Sequence, residues 1–206
     1  MKAFITALAA TALVAVPAFA QEGMQMQLPF TPEIFAGVGG GNYTGDLGSI
    51  TNSGVAWDAR VGINPWPFFA AELNYQGLNN GVGSVIQSNG TVVTGQTLLK
   101  TEVTIDGRLG YPFHIGGQEL KPYGFLGFGY AYVGSNNFLS SVGLGSSSAF
   151  AVPLGVGVGY QITNIFAADG RFTFNGLTGI RSAIAPTGSD WNFLFSVGAR
   201  FGTPGA

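Results

Sequence analysis

Leu99-Lys100-Thr101-Glu102-Val103-Thr104-Ile105-Asp106-Gly107-Arg108-Leu109 is the stretch whose reading decides the fold. Side chains of a β-strand alternate between two faces. As a strand, this segment turns Leu99, Thr101, Val103, Ile105 and Leu109 one way, with Tyr111 beyond them. Lys100, Glu102, Thr104, Asp106 and Arg108 turn the other way. The same Asp-x-Arg spacing recurs in Trp57-Asp58-Ala59-Arg60-Val61 and in Ala168-Asp169-Gly170-Arg171-Phe172. Charge is scarce elsewhere, at 9% of residues, where a water-soluble domain carries about 25%. The few charges are therefore gathered on one enclosed face, and Phe, Val, Leu and Tyr occupy the other. That is the pattern of a barrel with lipid outside and polar groups inside.

The N-terminus has to be set aside first. Lys2 gives a short positive region, residues 4–16 are almost wholly apolar, and Ala18-Phe19-Ala20 precedes Gln21 as a small-x-small cleavage site. Residues 1–20 read as a secretory signal peptide. The alternative is an uncleaved inner-membrane anchor, for which the stretch is short, since a spanning helix needs about 20 apolar residues. Cleavage leaves about 186 residues, enough for one domain, and the loss of Lys2 moves the formal charge from −2 to −3. No basic cluster suits nucleic acid. With no cysteine, disulfides, thiolate metal sites and cysteine nucleophiles are excluded. After Ala20 no run is long enough for a spanning helix, so a membrane protein of this sequence closes its hydrogen bonds as a barrel. A soluble, lipocalin-like barrel is the structural rival. It would reverse the two faces and need far more exterior Lys and Glu.

Residues 21–32 read as a periplasmic lead, with Pro29 and Pro32 barring regular pairing, and 33–206 as the barrel. Eight strands are expected, near 33–44, 54–64, 68–77, 98–111, 121–133, 148–161, 165–175 and 190–201. Asn64-Pro65-Trp66-Pro67 and Thr163-Asn164 mark tight turns. Connections after the second, fourth and sixth strands are short. Those near 45–53, 78–97, 134–147 and 176–189 are longer and rich in Gly, Ser and Asn. Outer-membrane barrels have short periplasmic turns and longer external loops, so both termini are expected in the periplasm. Aromatic belts are expected at both interfaces: Tyr75, Tyr130, Tyr132, Phe174 and Trp191 on the loop side, and Trp66, Phe69, Tyr111, Tyr160, Phe166 and Phe201 on the turn side.

The signal peptide, the eight alternating strands, the glycine-rich Phe35-Ala36-Gly37-Val38-Gly39-Gly40-Gly41 and the aromatic last strand resemble the OmpA-like family of eight-stranded outer-membrane barrels. The resemblance covers nearly the whole chain after the signal peptide. Many members carry a soluble peptidoglycan-binding domain after the barrel; none follows here. Members that end with the barrel usually finish on an aromatic, whereas Phe201 is followed by Gly202-Thr203-Pro204-Gly205-Ala206. The resemblance implies a lumen plugged by inward ion pairs.

Strand parity places Asp58, Arg60, Glu72, Lys100, Glu102, Asp106, Arg108, Asp169, Arg171 and Arg200 inside, five of each sign. An eight-stranded barrel is just wide enough for side chains to fill, and unpaired charges there are costly. An internal salt-bridge network follows, with inward glycines making room for the guanidinium groups and with Lys100 and Glu102 near the external mouth, in contact with water. A narrow polar conduit for small solutes, or a path for apolar ones, is the rival reading. An outer-membrane enzyme modifying lipid or peptide is the third. Its candidates are Asp46 and Asp190 at the external edge, with no nucleophile–base partner in sight, and the single histidine, His114, in a periplasmic turn. No ligand spacing points to a metal, and no cofactor is expected. Outer-membrane lipid is the expected surroundings. Loops 78–97 and 134–147, apolar for solvated segments, are candidate contact surfaces for an external partner. Monomer and homo-oligomer both remain open, because lipid-facing and barrel-to-barrel surfaces are equally apolar.

Overall fold

The structure, a computed structural model, describes residues 30–83, 85–86, 92–93, 95–135, 147–178 and 188–201. The expected signal peptide, most of the lead, the apolar centre of the third loop and the tail after Phe201 lie outside the described residues. The chain forms β1 (Thr31–Thr44), α1 (Gly45–Ile50), β2 (Thr51–Trp66), β3 (Phe69–Val82), β4 (Val85–Ile86), β5 (Val92–Val93), β6 (Gln96–Gly110), β7 (Phe113–Ile115), β8 (Gln118–Ser135), β9 (Ser147–Gln161), β10 (Phe166–Thr178) and β11 (Gly188–Arg200).

Eight of these strands close into an antiparallel barrel. The order around it is β6-β3-β2-β1-β11-β10-β9-β8, with β8 pairing back to β6. The first and last strands are neighbours, Gly37 opposite Ser196 and Tyr43 opposite Asp190. Closure leaves no unpaired sheet edge, the condition for a sheet to cross a membrane. The barrel strands run 13 to 18 residues, where about 9–11 tilted residues cross a bilayer, so the wall continues beyond the hydrocarbon region.

Each strand obeys the period-two rule. In β6, Leu109 is 61% exposed and Asp106 is fully buried; in β9, Val156 is 61% exposed. Apolar residues thus face outward and polar ones inward, the reverse of a soluble barrel. The expected belt residues all lie on the outer face. Trp66 packs on Phe68 and Phe69, with centroids 6.2 and 5.8 Å apart, and Tyr111 on Phe113 at 5.1 Å, all at the turn end. Tyr130 packs on Phe150 at 5.9 Å, and Phe172 on Trp191 at 6.2 Å.

Four local expectations need correction. Thr31 and Pro32 belong to β1 and not to the lead; Pro32 is near the strand's first residue, where a proline is tolerated, and its carbonyl accepts from Phe201 N–H at 2.8 Å. β2 continues through Pro65 to Trp66 by way of a register irregularity between Ile63 and Trp66, so the turn is at Pro67-Phe68. The turn after β6 is itself a small hairpin, β7 pairing with the start of β8 around Gly116 and Gly117, whose φ values of 62° and 85° suit glycine. The first long connection is mostly helix: α1 opens on Gly45, at φ 66°, and its Leu47 is buried.

The lumen as candidate functional site

The inward face carries two separate charge clusters. The larger fills the half of the barrel toward the short turns. Arg60, from β2, forms an ion pair with Asp58 Oδ2 through Nε and donates to Asp169 Oδ1 through Nη2, both at 2.7 Å. Tyr123 Oη, from β8, donates to both Asp169 oxygens, at 2.9 and 2.7 Å, and accepts from Arg171 Nε at 3.3 Å. Arg171, from β10, crosses the barrel to pair with Glu72 on β3, and its Nη1 lies 3.6 Å from Asp106 Oδ2. Glu72 also takes Arg108 Nη1 at 2.8 Å, and Arg108 Nη2 reaches Glu33 Oε1 at 2.6 Å. Arg200 closes the series at the rim, 3.6 Å from Glu33 and 2.9 Å from Glu119. Each arginine serves two carboxylates, a task its planar fork suits and a lysine's point charge does not.

Aromatic rings support the guanidinium groups from below. Arg171 stands 4.1 Å from the Phe125 ring centroid, Arg108 is 4.9 Å from Tyr123, and Arg60 is 5.1 Å from Phe35. Such contacts strengthen when water is excluded. The inward glycines make space for these rings and for carboxylates, where the sequence suggested guanidinium groups. A Cβ on Gly157 would lie 2.4 Å from Tyr123 Cζ, one on Gly155 2.7 Å from the Phe125 ring, and one on Gly127 2.0 Å from Asp106 Oδ1.

The second cluster lies toward the long loops. Lys100 Nζ, from β6, donates to Asp190 on the opposite strand β11, at 2.6 and 2.8 Å, and to Glu102 at 3.0 Å. Asn175 Nδ2 donates to Asp190 Oδ1 at 2.9 Å. All three charged groups are fully buried or nearly so, which corrects the expectation that Lys100 and Glu102 meet water at the mouth. An apolar cluster covers them: Leu47 of α1 packs with Tyr43, Ala56, Leu78, Val82, Leu98, Val133 and Leu194. The Thr51 hydroxyl pins the helix by donating to Leu47 C=O at 2.8 Å.

All ten charges assigned inward by parity face the lumen, nine of them buried and Arg200 at the rim. Parity missed four charged groups. Asp190, read as an external-edge residue, shares the inward parity of Asn192 and is fully buried; Glu33, buried at the start of β1, shares that of Phe35; Lys121 shares that of Gly127; Glu119 pairs with Arg200. Among the described residues, buried carboxylates therefore number seven (Glu33, Asp58, Glu72, Glu102, Asp106, Asp169, Asp190) and buried cations five (Arg60, Lys100, Arg108, Lys121, Arg171). Lys121 makes no ion pair among the described residues. His114 is exposed in β7, opposite Glu119, and Asp46 is exposed in α1. Among the described residues no group of three or more His, Cys, Asp or Glu side chains is placed to hold a metal ion.

The model of the family described as outer membrane protein beta-barrel domain matches residues 6–201. The chain belongs to that family. A member of the outer membrane protein β-barrel family resides in the outer membrane of a Gram-negative envelope. Among solved structures, Neisserial surface protein A is similar over 84% of this chain and 98% of its own, at 12% identity and a TM-score of 0.61. Ail, the attachment invasion locus protein of Yersinia pestis, solved with the heparin analogue sucrose octasulfate, is similar over 84% and 100%, at 12% identity and 0.51. OprG from Pseudomonas aeruginosa is similar over 84% and 96%, at 15% identity and 0.50. These likenesses establish a shared OmpA-like eight-stranded fold. Comparison with curated proteins found no match.

Proposed function

We propose that this outer-membrane barrel does not conduct and is not an enzyme, and that it serves envelope structure and surface contact through its long loops. The occluded lumen is the observation that carries this reading. A solute entering from the loop side meets the apolar cluster around Leu47, then the Lys100–Asp190 bridge, and then the arginine network. Conduction would require breaking buried ion pairs in series, each holding its partner's charge out of water.

In this reading residues 1–20 are removed on export, the lead and both termini lie in the periplasm with the short turns, and the long loops face outward. Contact with an external partner falls to loops 78–97 and 134–147. The first of these is stiffened at its base, since β3 and β6 stay paired out to Val82 and Gln96, with β4 and β5 paired beyond them. Binding surfaces on rigid bases are common.

The test is current through a planar bilayer containing the purified barrel, with insertion checked independently by protease protection. The expected record is silent, apart from rare transients. Reproducible unitary currents from the wild-type protein would refute the reading and favour a channel.

A further inference from the structure

Between the two charge clusters lies a layer of buried side chains that do not satisfy one another. Gln76 and Asn192 are fully buried, and in both the amide nitrogen and the amide oxygen lack a hydrogen-bond partner. Thr173 Oγ1, Asn175 Oδ1 and Glu102 Oε1 are buried and unpartnered as well. The ladder registers bring these groups to one level. Gln76 lies opposite Glu102 in the β3–β6 pair, and Asn192 lies opposite Thr173 in the β10–β11 pair. Those two pairs face each other across the ring of eight strands. Unpartnered oxygen atoms thus face the lumen from opposite walls. Buried polar groups are seldom left without partners, and each exception calls for an explanation.

Charge narrows the explanation. The trio at this level holds two carboxylates, Glu102 and Asp190, and one cation, Lys100, so it carries a surplus of one negative charge. Among the described residues no other cation pairs with it. Water would satisfy the amides and the hydroxyl but, unless Glu102 takes up a proton, would leave the surplus charge in a low-dielectric interior. A metal cation bound by oxygen ligands does both.

We propose that the lumen binds one monovalent metal cation, sodium or potassium, between Gln76 and Glu102 on one wall and Thr173, Asn175 and Asn192 on the other. The single positive charge matches the surplus. A divalent ion would overshoot it, and only one carboxylate oxygen at this level is free. The amide N–H groups of Gln76 and Asn192 donate to waters that complete the ion's shell. Because the lumen is closed at the loop end, the ion enters as the barrel forms.

The test is to fold the urea-denatured full-length barrel into detergent micelles in NaCl, KCl, CaCl2 or choline chloride at equal ionic strength. The unfolding temperature is then read from the heat-dependent gel shift, with 23Na line broadening as a direct probe of binding. NaCl or KCl should raise the unfolding temperature saturably above choline chloride, by about 3 °C or more. Glu102→Gln should remove that dependence. Asn192→Ala keeps the charge and should shift the half-saturating concentration upward about tenfold, so a Glu102→Gln chain that fails to fold leaves the proposal testable. Equal unfolding temperatures in choline, sodium and potassium would overturn it and mark the layer as water-filled. Stabilisation by CaCl2 alone, or a sodium effect intact in both variants, would overturn it too.

Discussion

Replacing Arg171 with methionine removes the residue that ties together both walls of the lumen. Arg171 holds Glu72 across the barrel, lies 3.6 Å from Asp106, donates to Tyr123 and stacks on Phe125. Without it, Asp106 keeps only a 3.5 Å contact from Asn74 Nδ2, and Glu72 keeps Arg108. Removing one partner of a buried pair costs about 3–5 kcal/mol, because the remaining charge stays buried. That is between two and nearly four powers of ten in the folding equilibrium. The loss belongs to the stranded Asp106 and not to the missing arginine itself. Arg171→Met combined with Asp106→Leu should therefore recover most of it, because a well-packed apolar replacement is often neutral. The assay is a reversible urea titration of the barrel in detergent, followed by tryptophan fluorescence. A single variant within about 1 kcal/mol of wild type would refute the reasoning, as would a double variant less stable than the single one.

Lys121 separates burial from pairing: it is buried without an ion pair, so Lys121→Met should change stability by less than about 1 kcal/mol or raise it in the same titration. Gly157→Ala should cost about 1–3 kcal/mol by pushing Tyr123 off its bonds to Asp169, whereas Gly124→Ala, whose Cβ would find nothing nearer than 3.7 Å, should be neutral. Leu47→Asp should open the apolar cluster and expose Lys100 to amine-reactive reagents, while bilayer recordings stay silent because the arginine network still blocks the lumen. Modification of wild-type Lys100 at the rate of a surface lysine would contradict the occlusion at the loop end.

Strand faces were legible because period two needs only local parity, and the contrast between Val103 or Ile105 and Glu102 or Asp106 is large. Parity could not say which charges meet. Arg171 and Glu72 lie on strands facing each other across the barrel, and only the ring order brings them together. Asp190 is misplaced because it starts the strand expected near 190–201, where inward parity and an external rim look alike; β11 begins at Gly188. α1 was illegible for a different reason. Six residues, Gly45–Ile50, are too few to form a helix by local propensity, and two of them are glycines. Burial of Leu47 among Tyr43, Leu78 and Leu98 supplies what the local sequence lacks. Pro65 and Pro32 misled by the rule that prolines end strands, which has exceptions at irregularities and first residues.

The two closures differ in kind, and the difference follows from the strands that supply them. β9 offers Gly155 and Gly157 inward, and the Tyr123 and Phe125 rings of β8 fill the space beside them. The rings form an apolar floor beneath the guanidinium groups, so charge can be dense there without being exposed. At the loop end the inward positions of β2, β3 and β6 are Ala56, Leu78 and Leu98, which pack but cannot pair. In the proposed reading, a lumen closed by charges in one half and by oil in the other suits neither an ion nor an apolar solute. An ion that passed the arginines would meet Leu78 and Leu98, and a hydrocarbon that passed Leu47 would meet Lys100 and Asp190. In the proposed reading this leaves the long loops as the part of the molecule free to acquire a specific task.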